Sequence, residues 1–138
     1  MIYLTRRERF NAAHRMFRPE WNDEKNEEVY GKCSNPNWHG HNYILFVTVK
    51  GNVDPKIGYV VNLKTLSKII RKEVIDKIDH KNMNVEVDFM KGRVASSENL
   101  AIAIWEVLDK PIHDIGVELH CVRIEETENN SVEYYGKN

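Results

Sequence analysis

A chain of 138 residues, 41% hydrophobic and 30% charged, suits one globular domain with a sizeable core, and a single domain over 1–138 is expected. Its 20 basic and 21 acidic residues leave a net charge of −1, which excludes the basic footprint of a nucleic-acid or membrane-surface binder, and no apolar run approaches membrane-spanning length. Two cysteines, Cys33 and Cys121, are too few for a disulfide framework, and the first nine residues lack the apolar core of a signal peptide, so free thiols in a cytoplasmic protein are expected.

Residues 2–14 alternate as a strand, with Ile2, Leu4, Phe10, Ala12 and His14 on one face and Arg6 and Glu8 interrupting it. Residues 16–38 show no sustained period and carry turn-forming side chains; a loop of that length in a small domain is often functional. A second strand is predicted from His39 to Lys50, with His39, His41, Tyr43, Leu45, Val47 and Val49 on one face and Ile44 and Phe46 on the other. Because both faces are apolar towards the middle, both are expected to be covered, the second by another subunit. After a turn region at 51–58, Asn62 is placed to cap a helix running to about Ile78, with Leu63, Leu66, Ile70, Val74 and Ile78 on its apolar stripe. Asp79 to Asn84 is a polar break, and 85–93 is irregular or a short strand. Ser96 or Ser97 caps a second, nearly all-apolar helix to about Leu108, which Pro111 ends. Strands at 117–126 and 131–135, joined by a hairpin turn at 128–130, complete the order ββααββ. The fold class predicted is α+β, a four-stranded antiparallel sheet with two helices on one face.

The chemistry-bearing residues gather around Cys33-Ser34-Asn35-Pro36-Asn37-Trp38-His39-Gly40-His41. Side chains two apart on a strand share a face, so His39 and His41 aim at one point, and His14 closes the preceding strand on its apolar side. Three imidazoles without a fourth protein ligand are the pattern of a catalytic zinc; the alternative is an H-x-H pair serving only packing. Cys33 is a fourth ligand, a reactive thiol favoured by a nearby cation, or an inert loop residue. Cys121, inside an apolar strand, reads as core. Asp79-His80 is either a solvated turn past a helix C-terminus or a carboxylate–imidazole proton shuttle. Glu126 ends the stripe of Val122 and Ile124, either frayed into solvent or binding a guanidine-like group through two hydrogen bonds. Ser96 and Ser97 are most simply helix caps, and Arg15, Arg18 and Lys32 are the cations available to a phosphate.

Taken together, Phe10-Asn11-Ala12-Ala13-His14-Arg15, the stretch Gly31 to Tyr43, Ile78-Asp79-His80-Lys81-Asn82-Met83-Asn84, Ser96-Ser97-Glu98-Asn99 and Glu126-Thr127-Glu128-Asn129-Asn130 resemble the 6-pyruvoyl-tetrahydropterin synthase family. The resemblance spans nearly the whole chain. It departs from the common pattern at Ser34, Ile78 and Glu128, none of which carries a chemical role. The resemblance implies the tunnelling fold (T-fold), in which sheets of three subunits close a barrel and two trimers stack as a hexamer. It further implies a homo-oligomeric lyase acting on 7,8-dihydroneopterin triphosphate, with Zn2+ held by His14, His39 and His41. Cys33, Asp79 and His80 match the family's catalytic residues. Glu126 matches its pterin anchor, and Ser96 and Ser97 fall where the family contacts the pterin ring. Since that family shares its active site between subunits, Asp79 and His80 are expected to serve a neighbour's zinc and Cys33. A sibling branch, the 6-carboxytetrahydropterin synthases of queuosine biosynthesis, uses the same residues on the same substrate but also releases acetaldehyde. The Cys33-to-His39 gap resembles the pyruvoyl branch. A third reading is a non-catalytic pterin- or metal-binding oligomer, against which the joint presence of Cys33, Asp79 and His80 speaks.

Overall fold

Burial alternates residue by residue along β1 (Ile2–His14) from Leu4 onwards and along β2 (His39–Gly51), and the two pair antiparallel from Ile2↔Gly51 to His14↔His39. The computed structural model describes residues 1–137; Asn138, the last residue of the expected domain, lies outside the described residues. β4 (Glu118–Thr127) pairs antiparallel with β2, and β5 (Asn130–Tyr134) with β4. The expected four-stranded antiparallel sheet needs one correction. A further strand, β3 (Lys81–Asn82), lies parallel to β1 at Ala12 and Ala13, giving five strands among the described residues in the order β3-β1-β2-β4-β5. Two polar residues are too few to show a period of two. What holds them is backbone pairing: His80 N–H donates to the Asn11 carbonyl at 2.7 Å and Met83 N–H to that of Ala13 at 2.8 Å.

The Asn62 side chain accepts from the backbone N–H groups of Lys64 and Thr65 and starts α2 (Leu63–Ile70), which continues through a π-helical segment (Arg71–Ile75) into α3 (Asp76–Ile78). Of the predicted stripe, Leu66, Ile70, Val74 and Ile78 are fully buried, whereas Leu63, at the first position of the helix and beyond the reach of the core, is 48% exposed. Ser96 caps α4 (Ser97–Asp114). This helix runs past the predicted end near Leu108 and takes Pro111 inside it. So close to the C-terminus proline removes a single backbone donor, and the fully buried Ile112 keeps the last turn on the core.

The segment 16–38, expected to be irregular, contains α1 (Asp23–Tyr30) and a 3-10 turn (Gly31–Ser34). α1 has no apolar stripe to read. Its one buried residue is Asn26, whose side chain bonds the backbone of Arg18, Trp21 and Asn22, so a polar knot replaces the usual apolar anchor. Within 85–93, a 3-10 turn forms at Asp88–Met90 rather than a strand.

α2 and α4 cover one sheet face, where Phe10, Tyr43, Leu45, Val47, Val122 and Ile124 join their apolar stripes in one core. Truncating a fully buried leucine such as Leu45 to alanine is expected to cost about 2–5 kcal/mol. Glu8, which interrupts the apolar face of β1, is buried and useful there: its Oε1 accepts from Arg6 Nε, Ser67 Oγ and Arg71 Nε at 3.0, 3.1 and 3.4 Å, tying β1 to α2. The opposite sheet face is more polar. Ile44 and Phe46 are half-buried there, with the Arg123 guanidinium over the Phe46 ring and paired to Glu125 and Glu133.

Candidate metal centre and active site

The last rung of the β1–β2 ladder sets His14 opposite His39, and Ala12 opposite His41. Sheet register alone therefore brings the three rings together, with centroids 4.5, 5.1 and 4.9 Å apart for the pairs 14–39, 14–41 and 39–41. One ligand nitrogen from each lies within 4.8 Å of the others. His14 Nε2, His39 Nδ1 and His41 Nε2 are buried without a hydrogen-bond partner among the described residues. Buried polar atoms are seldom left unpaired, and three such lone-pair donors converging on one point fit a metal ion. His14 Nδ1 lies 2.7 Å from the Ala95 carbonyl. A carbonyl only accepts, so Nδ1 carries the proton and the Nε2 lone pair faces the centre, the outer support typical of a metal-binding histidine. Burial pushes the His14 imidazole below its usual pKa, against the opposing Ala95 hydrogen bond and with a smaller push from His39. Burial, then His41, does the same for His39. Neutral rings are the form that binds a metal.

Tyr43 continues the H-x-H alternation and forms the inner wall of this centre. It is stacked on Phe10 and edge-on to His14 and His41, and burial drives its phenol pKa upward. Sequence reasoning placed it on the right face without giving it a role; the His-x-His-x-Tyr spacing was the available signal.

Cys33 sits in the 3-10 turn beside this centre. Its carbonyl accepts from Met16 N–H at 2.8 Å, and Arg15 Nε donates to the Ser34 carbonyl at 2.7 Å. A cavity of about 860 Å3 is bordered by Cys33, Lys32, Arg15, His39 and His41 among others. Among the described residues the clustered ligand atoms belong to the three histidines, and the Cys33 sulfur is not one of them. Of the three candidate cations, Arg15 and Lys32 line this cavity, whereas Arg18 pairs with Glu20 elsewhere.

Glu126 turns inwards rather than fraying. Ser97 Oγ donates to its Oε2 at 2.7 Å, and its Oε1 is 3.6 Å from His41 Nε2. Ser96 instead caps α4, its Oγ accepting from Asn99 N–H.

Asp79 and His80 follow α3 directly and lie elsewhere. Asp79 Oδ1 accepts from Asn11 N–H at 3.0 Å and lies 3.1 Å from His80 Nδ1. His80 adopts a left-handed backbone, φ 63°, uncommon for a residue with a Cβ, and its side chain is 75% exposed. It borders depressions lined by the cross-strand partners Asn11 and Asn42, not the cavity that holds Cys33. The single chain thus brings His14, His39, His41, Cys33, Glu126 and Ser97 together and leaves the Asp79–His80 pair apart.

Residues 3–137 match the family model for 6-pyruvoyl tetrahydropterin synthase. A protein of Dictyostelium discoideum called 6-pyruvoyl tetrahydrobiopterin synthase is 44% identical over 136 residues, covering 99% of this chain and 97% of its own. One of the same name from Pongo abelii is 42% identical over 134 residues, covering 97% and 91%. The solved structure of Caenorhabditis elegans 6-pyruvoyl tetrahydropterin synthase superposes with a TM-score of 0.89 at 39% identity, covering 99% of this chain and 96% of its own.

Proposed function

The chain belongs to the 6-pyruvoyl tetrahydropterin synthase family, and we propose that it is a zinc-dependent lyase converting 7,8-dihydroneopterin triphosphate to 6-pyruvoyl-tetrahydropterin with loss of triphosphate. The observation that carries this reading is the convergence of three unpartnered imidazole nitrogens beside a cavity bordered by Cys33. His14, His39 and His41 would hold Zn2+, which when bound supplies Lewis acidity to the hydroxyls of the substrate side chain.

The remaining roles belong to the chain. The Glu126 carboxylate, steadied by Ser97, takes the 2-amino and N3 edge of the pterin through paired hydrogen bonds, with Ser96 at the same end of the ring. Cys33, as thiolate, removes a proton from the side-chain carbon. The C–O bond to triphosphate breaks with its electron pair leaving on the triphosphate. His80, oriented by Asp79, returns the proton. No redox cofactor is needed. Proton shifts move the two hydrogens of the ring-proximal carbinol into the ring C=N bond, so that carbinol becomes a ketone as the ring becomes tetrahydro. Elimination of triphosphate and tautomerisation of the resulting enol make the second ketone.

Assembly completes the site in this reading. Among the described residues β1 is paired on its outer side only at Ala12 and Ala13, and β5 is the other border of the sheet. Two different free edges favour head-to-tail pairing of copies, which closes into a ring. Three sheets closing a barrel, and two such trimers forming a hexamer, would bring the exposed Asp79–His80 pair of one copy to the Cys33 of another. No helix among the described residues is long and apolar enough to cross a membrane, and we place the protein in the cytoplasm with Cys33 and Cys121 reduced.

The test is incubation of the zinc-loaded protein with 7,8-dihydroneopterin triphosphate and identification of products by mass spectrometry. Triphosphate with 6-pyruvoyl-tetrahydropterin is the expected outcome. 6-Carboxytetrahydropterin with acetaldehyde would assign the protein to the sibling reaction, and zinc bound without turnover would make it a non-catalytic binder.

A further inference from the structure

A single turn, Val94–Ser97, supports both halves of the proposed site. Its Ala95 carbonyl takes the His14 Nδ1 proton at 2.7 Å and so aims Nε2 at the metal position. Two residues on, Ser97 Oγ donates to Glu126 Oε2, also at 2.7 Å. The turn is closed by Ser96 N–H donating to the Val94 carbonyl at 2.8 Å. One side chain locks it from outside. Asn99 Nδ2 donates to that same Val94 carbonyl at 2.9 Å, while Asn99 N–H donates to Ser96 Oγ at 3.1 Å. Ala95 is 1% exposed, so the turn is packed below as well as tied above.

We propose that Asn99 is a positioning residue that makes metal binding and pterin binding cooperative through the turn Val94–Ser97. The inference rests on the reading of the histidine triad as the metal site and Glu126 as the pterin anchor. A metal held by His14 Nε2 fixes the ring and, through Nδ1, the Ala95 carbonyl. The fixed turn then presents Ser97, and with it Glu126, in the geometry that receives the pterin edge. A bound pterin, by fixing Glu126 and Ser97, fixes the Ala95 carbonyl in return. Coupling of this kind is reciprocal by thermodynamic necessity. The Asn99 amide matters because it donates to a carbonyl: an aspartate of the same shape has no proton to offer there.

The experiment measures the affinity of unsubstituted pterin, which has no side-chain hydroxyls to reach a metal, by fluorescence in metal-free and zinc-loaded protein. Wild type is expected to bind pterin more tightly when zinc is present, by a factor within the usual coupling range of about 5–150. In Asn99→Ala and the near-isosteric Asn99→Asp, zinc and pterin still bind, but that factor falls severalfold, to what direct electrostatics between zinc and Glu126 alone supplies. Attraction or repulsion between zinc and the Glu126 carboxylate acts equally in wild type and Asn99→Ala, so it cancels in the comparison. With Co2+ in place of zinc, pterin shifts the visible spectrum of wild type and leaves that of the variants unchanged. An unchanged coupling factor in both folded variants, or a wild type that binds both ligands without coupling, overturns the role of Asn99 and leaves the site reading intact. A wild type that binds neither zinc nor pterin overturns the site reading itself, and the inference with it.

Discussion

At the end of the β1–β2 ladder, His14 is 1% exposed and its ring is pinned by the Ala95 carbonyl; just beyond α3, the His80 side chain is 75% exposed and paired only with its neighbour Asp79. The first histidine owes its aim to packing and to the hydrogen bond it donates to the carbonyl of a residue 81 positions away. The second owes its place to backbone, a left-handed residue clamped to Asn11 by its own N–H and through the Asp79 carboxylate. A buried group is positioned whether or not substrate is present, and its desolvation favours the neutral form. An exposed dyad gains comparable surroundings only when another molecule covers it. The contrast is what a site divided between copies of one chain would look like in a single copy: one half finished, the other held ready at a border.

Substitutions break or sharpen this contrast in graded fashion. His39→Ala removes one of three converging nitrogens and is expected to reduce zinc content, by elemental analysis, and turnover to background. Cys33→Ala should keep its zinc and lose turnover by about 10²–10⁴-fold, the usual contribution of a positioned base; loss of zinc would instead make Cys33 a ligand. His80→Ala belongs to the same range and carries the sharper test. If the two regions act across a subunit border, unfolding and refolding Cys33→Ala and His80→Ala together should restore turnover well above either parent, and no recovery would place both in one protomer. Glu126→Gln should weaken pterin binding by about 10- to 100-fold, matching the 1.5–3 kcal/mol of hydrogen bonds to a charged group, with zinc content unchanged. Ser97→Ala, which only loosens Glu126, should cost about 0.5–1.5 kcal/mol in the same titration.

What could be read from the sequence was whatever repeats with a period. The two long strands, the α2 stripe from Leu66 to Ile78 and the shared face of His39, His41 and Tyr43 all follow from alternation, and the structure keeps them. α1 escaped because Asn26, a polar residue, is its anchor, although Asn22 as cap with Asp23 and Glu24 in the first turn was a visible helix start. β3 escaped because two residues have no period. Pro111 misled because its cost depends on how near the helix end it falls and on the burial of Ile112. Within the site, side-chain identities were legible, but the Ala95 carbonyl and the Asn11 N–H were not. Every residue offers the same backbone groups, and only tertiary structure decides which ones matter.

The rung that pairs His14 with His39 has a consequence for how the chain finds its fold. A β1–β2 pairing slipped by one residue would turn one strand's apolar side chains outwards, and it would also point His14, or else His39 and His41, away from the common centre. An ion held by all three imidazoles can therefore bind only the correctly registered hairpin, and by mass action it deepens that state alone. Metal availability during synthesis would then act as a quality check on strand register, selecting among nascent pairings well before any substrate arrives.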